Sequence, residues 1–174
     1  SGTASFTPTD DSIFEANETG IVAISGVSGA DAVEDGTQSV TITITNDDSA
    51  PTVTLTSSAS SIDENAGSSL TLTATLTNPT TADVTVGIST SGTGTEGTDY
   101  ATISDITITA GSTTGTASFT PTDDSIYEGD ETGIVAISTV SGGSATENGN
   151  QSVTITINEN ETAPVVNLSV SSSS

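Results

Sequence analysis

The stretch ASFTPTDDSIYEGDETGIVAIS, Ala117–Ser138, contains the pattern that decides the fold. Its two ends, TASFT and GIVAIS, alternate apolar with small or polar residues, which is the period of a strand with one buried face. Between them lie Asp123, Asp124, Glu128, Asp130 and Glu131, too polar for a core and rich in turn formers. The same alternation recurs in TVTLT, LTLTATL, DVTVGI, DITITA and SVTITI, built from the Val, Ile and Thr that suit a pleated, half-buried surface. Leu70, Leu72, Ala74 and Leu76 are expected to face inward, with Ser69, Thr71, Thr73 and Thr75 in water; Val153, Ile155 and Ile157 repeat the arrangement. Seven such runs, separated by Gly, Ser, Asn and Asp turns and with no helical periodicity, predict an all-β, immunoglobulin-like two-sheet β-sandwich.

The opening stretch also occurs almost unchanged as ASFTPTDDSIFEANETGIVAIS from Ala4, an offset of 113 residues that holds through Gln38 and Gln151, Pro51 and Pro164, and Leu55 and Leu168. A period of that length is one domain and far too long for a β-helix. The expected organisation is the C-terminal half of one repeat over residues 1–48, a complete repeat over 49–162, and the first strand of the next over 163–174. The half-repeat would leave apolar faces and sheet edges bare. Its missing strands are expected from the same polypeptide upstream of Ser1, or from another copy through VVNLSV at Val165–Val170.

The chain carries 23 acidic residues and no Lys, Arg or His, a net charge of −23 over 174 residues. No side-chain ion pair can form, nucleic acid is excluded as a natural partner, and cations are favoured. No run is long and apolar enough for membrane insertion. With no Cys, neither disulfides nor thiolate metal sites are available. Without His, Cys, Lys or Arg the usual activating bases and cationic oxyanion stabilisers are missing, so no enzyme is expected. The acids read either as a solvated surface or as a metal site, and their positions bear on the choice. Glu64 follows the first strand, Asp99 precedes the fourth, Asp123 and Asp124 follow the fifth, Glu128 and Glu131 lead into the sixth, and Glu159 and Glu161 follow the seventh. Turns after odd-numbered strands gather at one tip of an antiparallel sandwich. Such loops can offer the six to eight oxygens that Ca²⁺ takes, whereas Mg²⁺ keeps its waters and a tighter octahedron.

SIDENAG, GTEGTDYATIS, ITITAGSTTGTASFTPTDDSIYEGDETGIVAIS and QSVTITINENE, in that order and spacing, resemble the Calx-β domain family. The resemblance implies Ca²⁺ ligands at Glu64, Asp99, Asp123, Asp124, Glu128 and Glu131, with the acids Glu159 and Glu161 past the last strand. By the same matching the half-repeat offers Asp10, Asp11, Glu15, Glu18, Asp47 and Asp48. Ser125 and Ser12 stand where strong binders often carry a third Asp, which implies fewer ions per domain or weaker binding. Asp130, matched by Asn17, is expected to be peripheral; Asp31, Glu34, Asp35, Asp83, Asp105 and Glu147 are expected to be solvated; Tyr100 and Tyr127 are expected to anchor loops at the core's edge. The functional expectation is a calcium-stiffened stalk of a large secreted or cell-surface bacterial adhesin or filament. Its partners are neighbouring repeats of the same polypeptide, other copies in a filament, and an unidentified adhesive target. The alternatives are a calcium-sensing regulatory domain pair or the spacer domains of a secreted hydrolase.

Overall fold

A computed structural model describes residues 2–171. Its elements are strands: β1 (Glu18–Ala23), β2 (Ser39–Ile44), β3 (Thr52–Ser57), β4 (Ser61–Asp63), β5 (Leu70–Leu76), β6 (Val84–Gly92), β7 (Ile106–Ile108), β8 (Thr114–Phe119), β9 (Glu131–Ser141), β10 (Thr146–Glu147) and β11 (Ser152–Asn158). From β3 onward they form a two-sheet sandwich, one sheet ordered β10-β3-β5-β8 and the other β4-β11-β9-β6-β7. The seven predicted runs are β3, β5, β6, β7, β8, β9 and β11. The alternation works as expected: Leu72, Ala74 and Leu76 are buried, as are Ile155 and Ile157, while Leu70 and Val153 pack at the margin. Each buried aliphatic side chain contributes about 1.5–3 kcal/mol relative to exposure.

Two short strands escape the alternation. After β3 the chain crosses between sheets, and β4 pairs in parallel with the end of β11, Ile62 opposite Ile157 and Asp63 opposite Asn158. β10 pairs in parallel with the start of β3, Thr146 opposite Thr52. Strand direction therefore separates the two ends of the sandwich. Thr52, Leu76 and Pro79–Thr80 lie at the proximal end, where the chain enters; Glu64, Phe119, Glu131 and Asn158 lie at the distal end, where it leaves.

Residues 2–48 form the β1–β2 hairpin, with Glu18 opposite Ile44 and Ala23 opposite Ser39. Residues 4–7, the copy of the ASFT at the end of β8, form no strand. Ala117, 113 residues on, is in β8, which is held by pairing with β5, and residues 2–48 supply no equivalent edge. Likewise Ala163–Ser171 pairs with no strand among the described residues, and Val165, Val166, Leu168 and Val170 are exposed; residues 172–174 of that expected strand lie outside the described residues. The hairpin touches the sandwich at the proximal end, where the Phe14 N–H donates to the Pro79 carbonyl at 3.1 Å.

Tyr100 corrects the expectation of a peripheral aromatic. It is 1% exposed and stacks on Phe119 with ring centroids 4.7 Å apart, whereas Tyr127 is exposed. Several of the acids expected to be solvated, among them the exposed Asp83 and Asp105, also cap backbone. Asp83 accepts the Ala110 N–H at 2.8 Å, and Asp105 accepts the Ile88 N–H at 2.9 Å where a bulge at Gly87/Ile88 interrupts the β6–β9 ladder. Glu34 and Glu147 accept the N–H groups of Gln38 and Gln151.

Candidate metal centre

Strand register explains how acids far apart in sequence meet at the distal end. Pairing of Ile157 with Glu131 sets the start of β9 beside the end of β11, and pairing of Asp63 with Asn158 makes Glu64 and Glu159 the next residues out. Gly92 opposite Gly133 aims the β6–β7 connection, with Asp99, at Glu131. That connection passes close: a Cβ on Gly94 would lie 3.4 Å from Glu131 Oε2.

Two groups of carboxylates result, Glu64 with Glu159 and Glu161, and Asp99 with Glu128 and Glu131. In each, one oxygen per residue lies within 4.8 Å of the others. Asp123 and Asp124 stand beside the first group rather than in it. The Asp124 N–H donates to Glu64 Oε1 at 3.3 Å, while Asp124 Oδ1 accepts the Ile126 N–H at 2.6 Å.

The local backbone is organised around Glu159. Its Oε2 accepts the N–H groups of Glu128 and Gly129 at 2.5 and 2.8 Å, and its Oε1 those of Asn160 and Glu161, both at 2.9 Å. The Glu161 N–H and the Glu128 N–H lead the causes that hold this carboxyl down at about 2. Asp130 Oδ1 accepts the Glu159 N–H at 3.1 Å, so this residue, expected to be peripheral, fastens the anchor of the loop. Its sequence signal is faint, because Asn17 replaces it in the first half of the chain. Of the two acids not assigned from sequence, Asp63 accepts from Asn158 Nδ2 at 2.8 Å. Glu96 is used structurally, accepting from the Thr90 hydroxyl at 2.6 Å and the Ile103 N–H at 2.8 Å.

The other carboxyls are pushed the opposite way. Burial, then the charges of Asp99 and Glu128, raises Glu131 to about 7. A hydrogen bond shared with Glu159, then burial, raises Glu161 to about 7. Glu64 and Glu128 are also raised, both chiefly by burial. Glu64 is 8% exposed, and Glu161 Oε2 is buried with no hydrogen-bond partner among the described residues. An orphaned carboxylate oxygen among converging acids, in a chain without a basic side chain, fits a cation. The all-oxygen donor set is that of a hard divalent ion.

Asp10, Asp11, Glu15, Glu18, Asp47 and Asp48 line one cleft of the hairpin. Burial and the charges of Asp47, Asp11 and Asp10 raise Asp48. The loop is built like the distal one with amides in the anchoring places. Asn46 Oδ1 accepts the Glu15 N–H at 3.3 Å, Asn17 Oδ1 accepts the Asn46 N–H at 2.9 Å, and Asp11 Oδ1 accepts the Ile13 N–H at 2.8 Å. The two close carboxylate groups found among the described residues are both in the sandwich.

The fold is shared with known structures. The apo-form Calx CBD1 domain matches with a TM-score of 0.51 at 16% identity, covering 64% of this chain and 98% of that one. CBD12 from CALX1.2 matches with a TM-score of 0.51 at 16% identity, over 62% of this chain and 44% of that one. No curated protein matches the sequence. The Calx-beta domain matches residues 46–161, which takes in both carboxylate groups and every strand of the sandwich. The chain belongs to the Calx-beta domain family.

Proposed function

We propose that the chain is a calcium-stiffened segment of a tandem-repeat stalk in a large secreted or cell-surface adhesin or filament, and that it has no catalytic role. The observation that carries the calcium reading is the orphaned Glu161 Oε2 beside Glu64 and Glu159, with Asp99, Glu128 and Glu131 completing a second all-carboxylate group. Ca²⁺ would be held by these six residues, with Asp123 and Asp124 adjacent, and would supply the positive charge that no side chain offers. The stalk reading is supported by the path of the chain, which enters the sandwich at one end and leaves at the other, so that successive domains string out lengthwise. The hairpin's acidic cleft follows β2 and directly precedes the sandwich, the place where an ion would brace a junction. Small-angle scattering of the chain with and without Ca²⁺ tests the reading. Stiffening predicts a narrower distribution of lengths at unchanged sandwich dimensions; a calcium-driven change in the sandwich itself would favour the sensing role instead.

A further inference from the structure

The loop that carries Asp123–Glu131 and the loop that carries Asp10–Glu18 are two copies of one sequence, and the same hydrogen bonds fasten both. Asp124 Oδ1 accepts the Ile126 N–H at 2.6 Å, and Asp11 Oδ1, 113 positions earlier, accepts the Ile13 N–H at 2.8 Å. Glu159 Oε2 accepts the Glu128 N–H at 2.5 Å, as Asn46 Oδ1 accepts that of Glu15 at 3.3 Å. Asp130 Oδ1 accepts the Glu159 N–H at 3.1 Å, as Asn17 Oδ1 accepts that of Asn46 at 2.9 Å.

The fasteners are equivalent in place but not in charge. Across Ala4–Ser25 and Ala117–Ser138 the copies differ only in Phe14 against Tyr127, Ala16 against Gly129 and Asn17 against Asp130. The one exchange there that alters charge falls on a fastener, and the second fastener changes with it, Asn46 against Glu159. An exchange in the opposite direction lies beside it, Asp47 against Asn160, while Asp48 and Glu161 are acidic alike.

Fastening alone gives no reason for carboxylates at these places. Each bond needs an oxygen acceptor, which an amide supplies without charge. In a chain with no Lys, Arg or His, the charges of Asp130 and Glu159 only add repulsion to Glu64, Asp99, Glu128, Glu131 and Glu161. A bound cation reverses the sign of that contribution, because its affinity rises with the negative charge around it.

We propose that positions 130 and 159 perform two separable tasks: their oxygens fasten the loop, and their charge sets how tightly the sandwich's acids hold a divalent cation. The first copy fastens its loop with amides and carries a charge at Asp47 instead. The role rests on the calcium reading of the same centre and assigns these two residues the electrostatic share of its affinity.

Calorimetric titration of the 174-residue chain with Ca²⁺ at low and high salt, alongside thermal unfolding in chelator, tests it. Asp130→Asn with Glu159→Asn copies the amide fasteners of the first copy. The expected result is an affinity lower by about 10–100-fold, with a chelator melting temperature close to the parent's. Asp130→Asn alone keeps the acceptor oxygen and should lose about tenfold with folding intact. The deficit narrows as salt rises, because added ions screen charge but do not repair geometry. Adding Asn160→Asp, the acid that the first copy has at Asp47, recovers most of the loss. The hairpin's own cleft is the same in every variant, so the differences report the sandwich. A double variant that binds like the parent overturns the proposal, as does a loss that salt leaves unchanged and Asn160→Asp does not recover. A parent chain that binds no Ca²⁺ overturns the calcium reading itself, and this role with it.

Discussion

The backbone N–H of Glu161 donates to Glu159 Oε1 at 2.9 Å and helps to hold the Glu159 carboxyl down at about 2, while the Glu161 carboxyl beside it is pushed up to about 7. Glu159 gathers N–H donors and stays charged; Glu161 Oε2 is buried and has no hydrogen-bond partner among the described residues. The acids at the distal end thus divide into those that organise the loop and those that wait for a counter-charge.

A pH dependence follows. Glu131 and Glu161 titrate near 7 in the folded chain against an ordinary value of 4.5, so between those limits the folded state holds more protons than the unfolded. Without metal, stability should therefore fall as pH rises from about 4.5 to about 7. The lowered Glu159 acts only below that window, its contribution fading as pH drops from 4.5 towards about 2. Melting temperatures in chelator at pH 5 and pH 7.5 check this, with the higher value expected at pH 5. Saturating Ca²⁺ should reverse the order, because the ion takes the deprotonated forms. A metal-free protein whose melting temperature rises over that range would contradict the assignment.

Asp130 should act on metal affinity through Glu159 rather than by contact. Asp130→Ala removes the acceptor of the Glu159 N–H and frees the loop that carries Glu128, so Ca²⁺ affinity is expected to fall about 10–100-fold, as for outer-shell partners generally. Calorimetric titration measures it. Asp83→Ala serves as the control, since Asp83 caps Ala110 away from the acids and should leave affinity unchanged.

The aromatic pair links the core to the second carboxylate group. A Cβ on Gly133 would sit 2.7 Å from the Phe119 ring, which stacks on Tyr100, the neighbour of Asp99. Gly133→Ala is expected to cost about 1–3 kcal/mol by overpacking and to weaken Ca²⁺ binding as Tyr100 moves. Urea unfolding in chelator isolates the first effect and titration the second. A variant as stable as the parent would show that the ring shifts freely.

The strands of the sandwich were legible because each long run alternates at period 2 and buries one face. β4 and β10 were not, being three and two residues long, too short to show a period; their parallel pairings come from where β3 and β9 deliver the chain. Convergence of the acids could be anticipated from strand order. The subdivision into two groups could not, because it depends on register: Ile157 opposite Glu131, and Asp63 opposite Asn158. Tyr100 was misjudged because its sequence neighbours are loop formers while its ring reaches Phe119 across the sandwich. The caps made by the exposed Asp83 and Asp105 have no sequence signal, since a backbone cap leaves no mark beyond the acid itself.

Neutralisation of the distal acids by a divalent cation should be read out by thermal unfolding of the chain in millimolar Ca²⁺, in Mg²⁺ and in chelator. At about 100 times its Kd, an ion that binds only the folded state adds about 2.7 kcal/mol, which for a domain of this size raises the melting temperature by roughly 10 °C. The predicted result is a rise of that order specific to Ca²⁺ and lost in Glu131→Gln with Glu161→Gln. Equal melting temperatures in Ca²⁺ and chelator would contradict the account and leave the acids as a solvated surface.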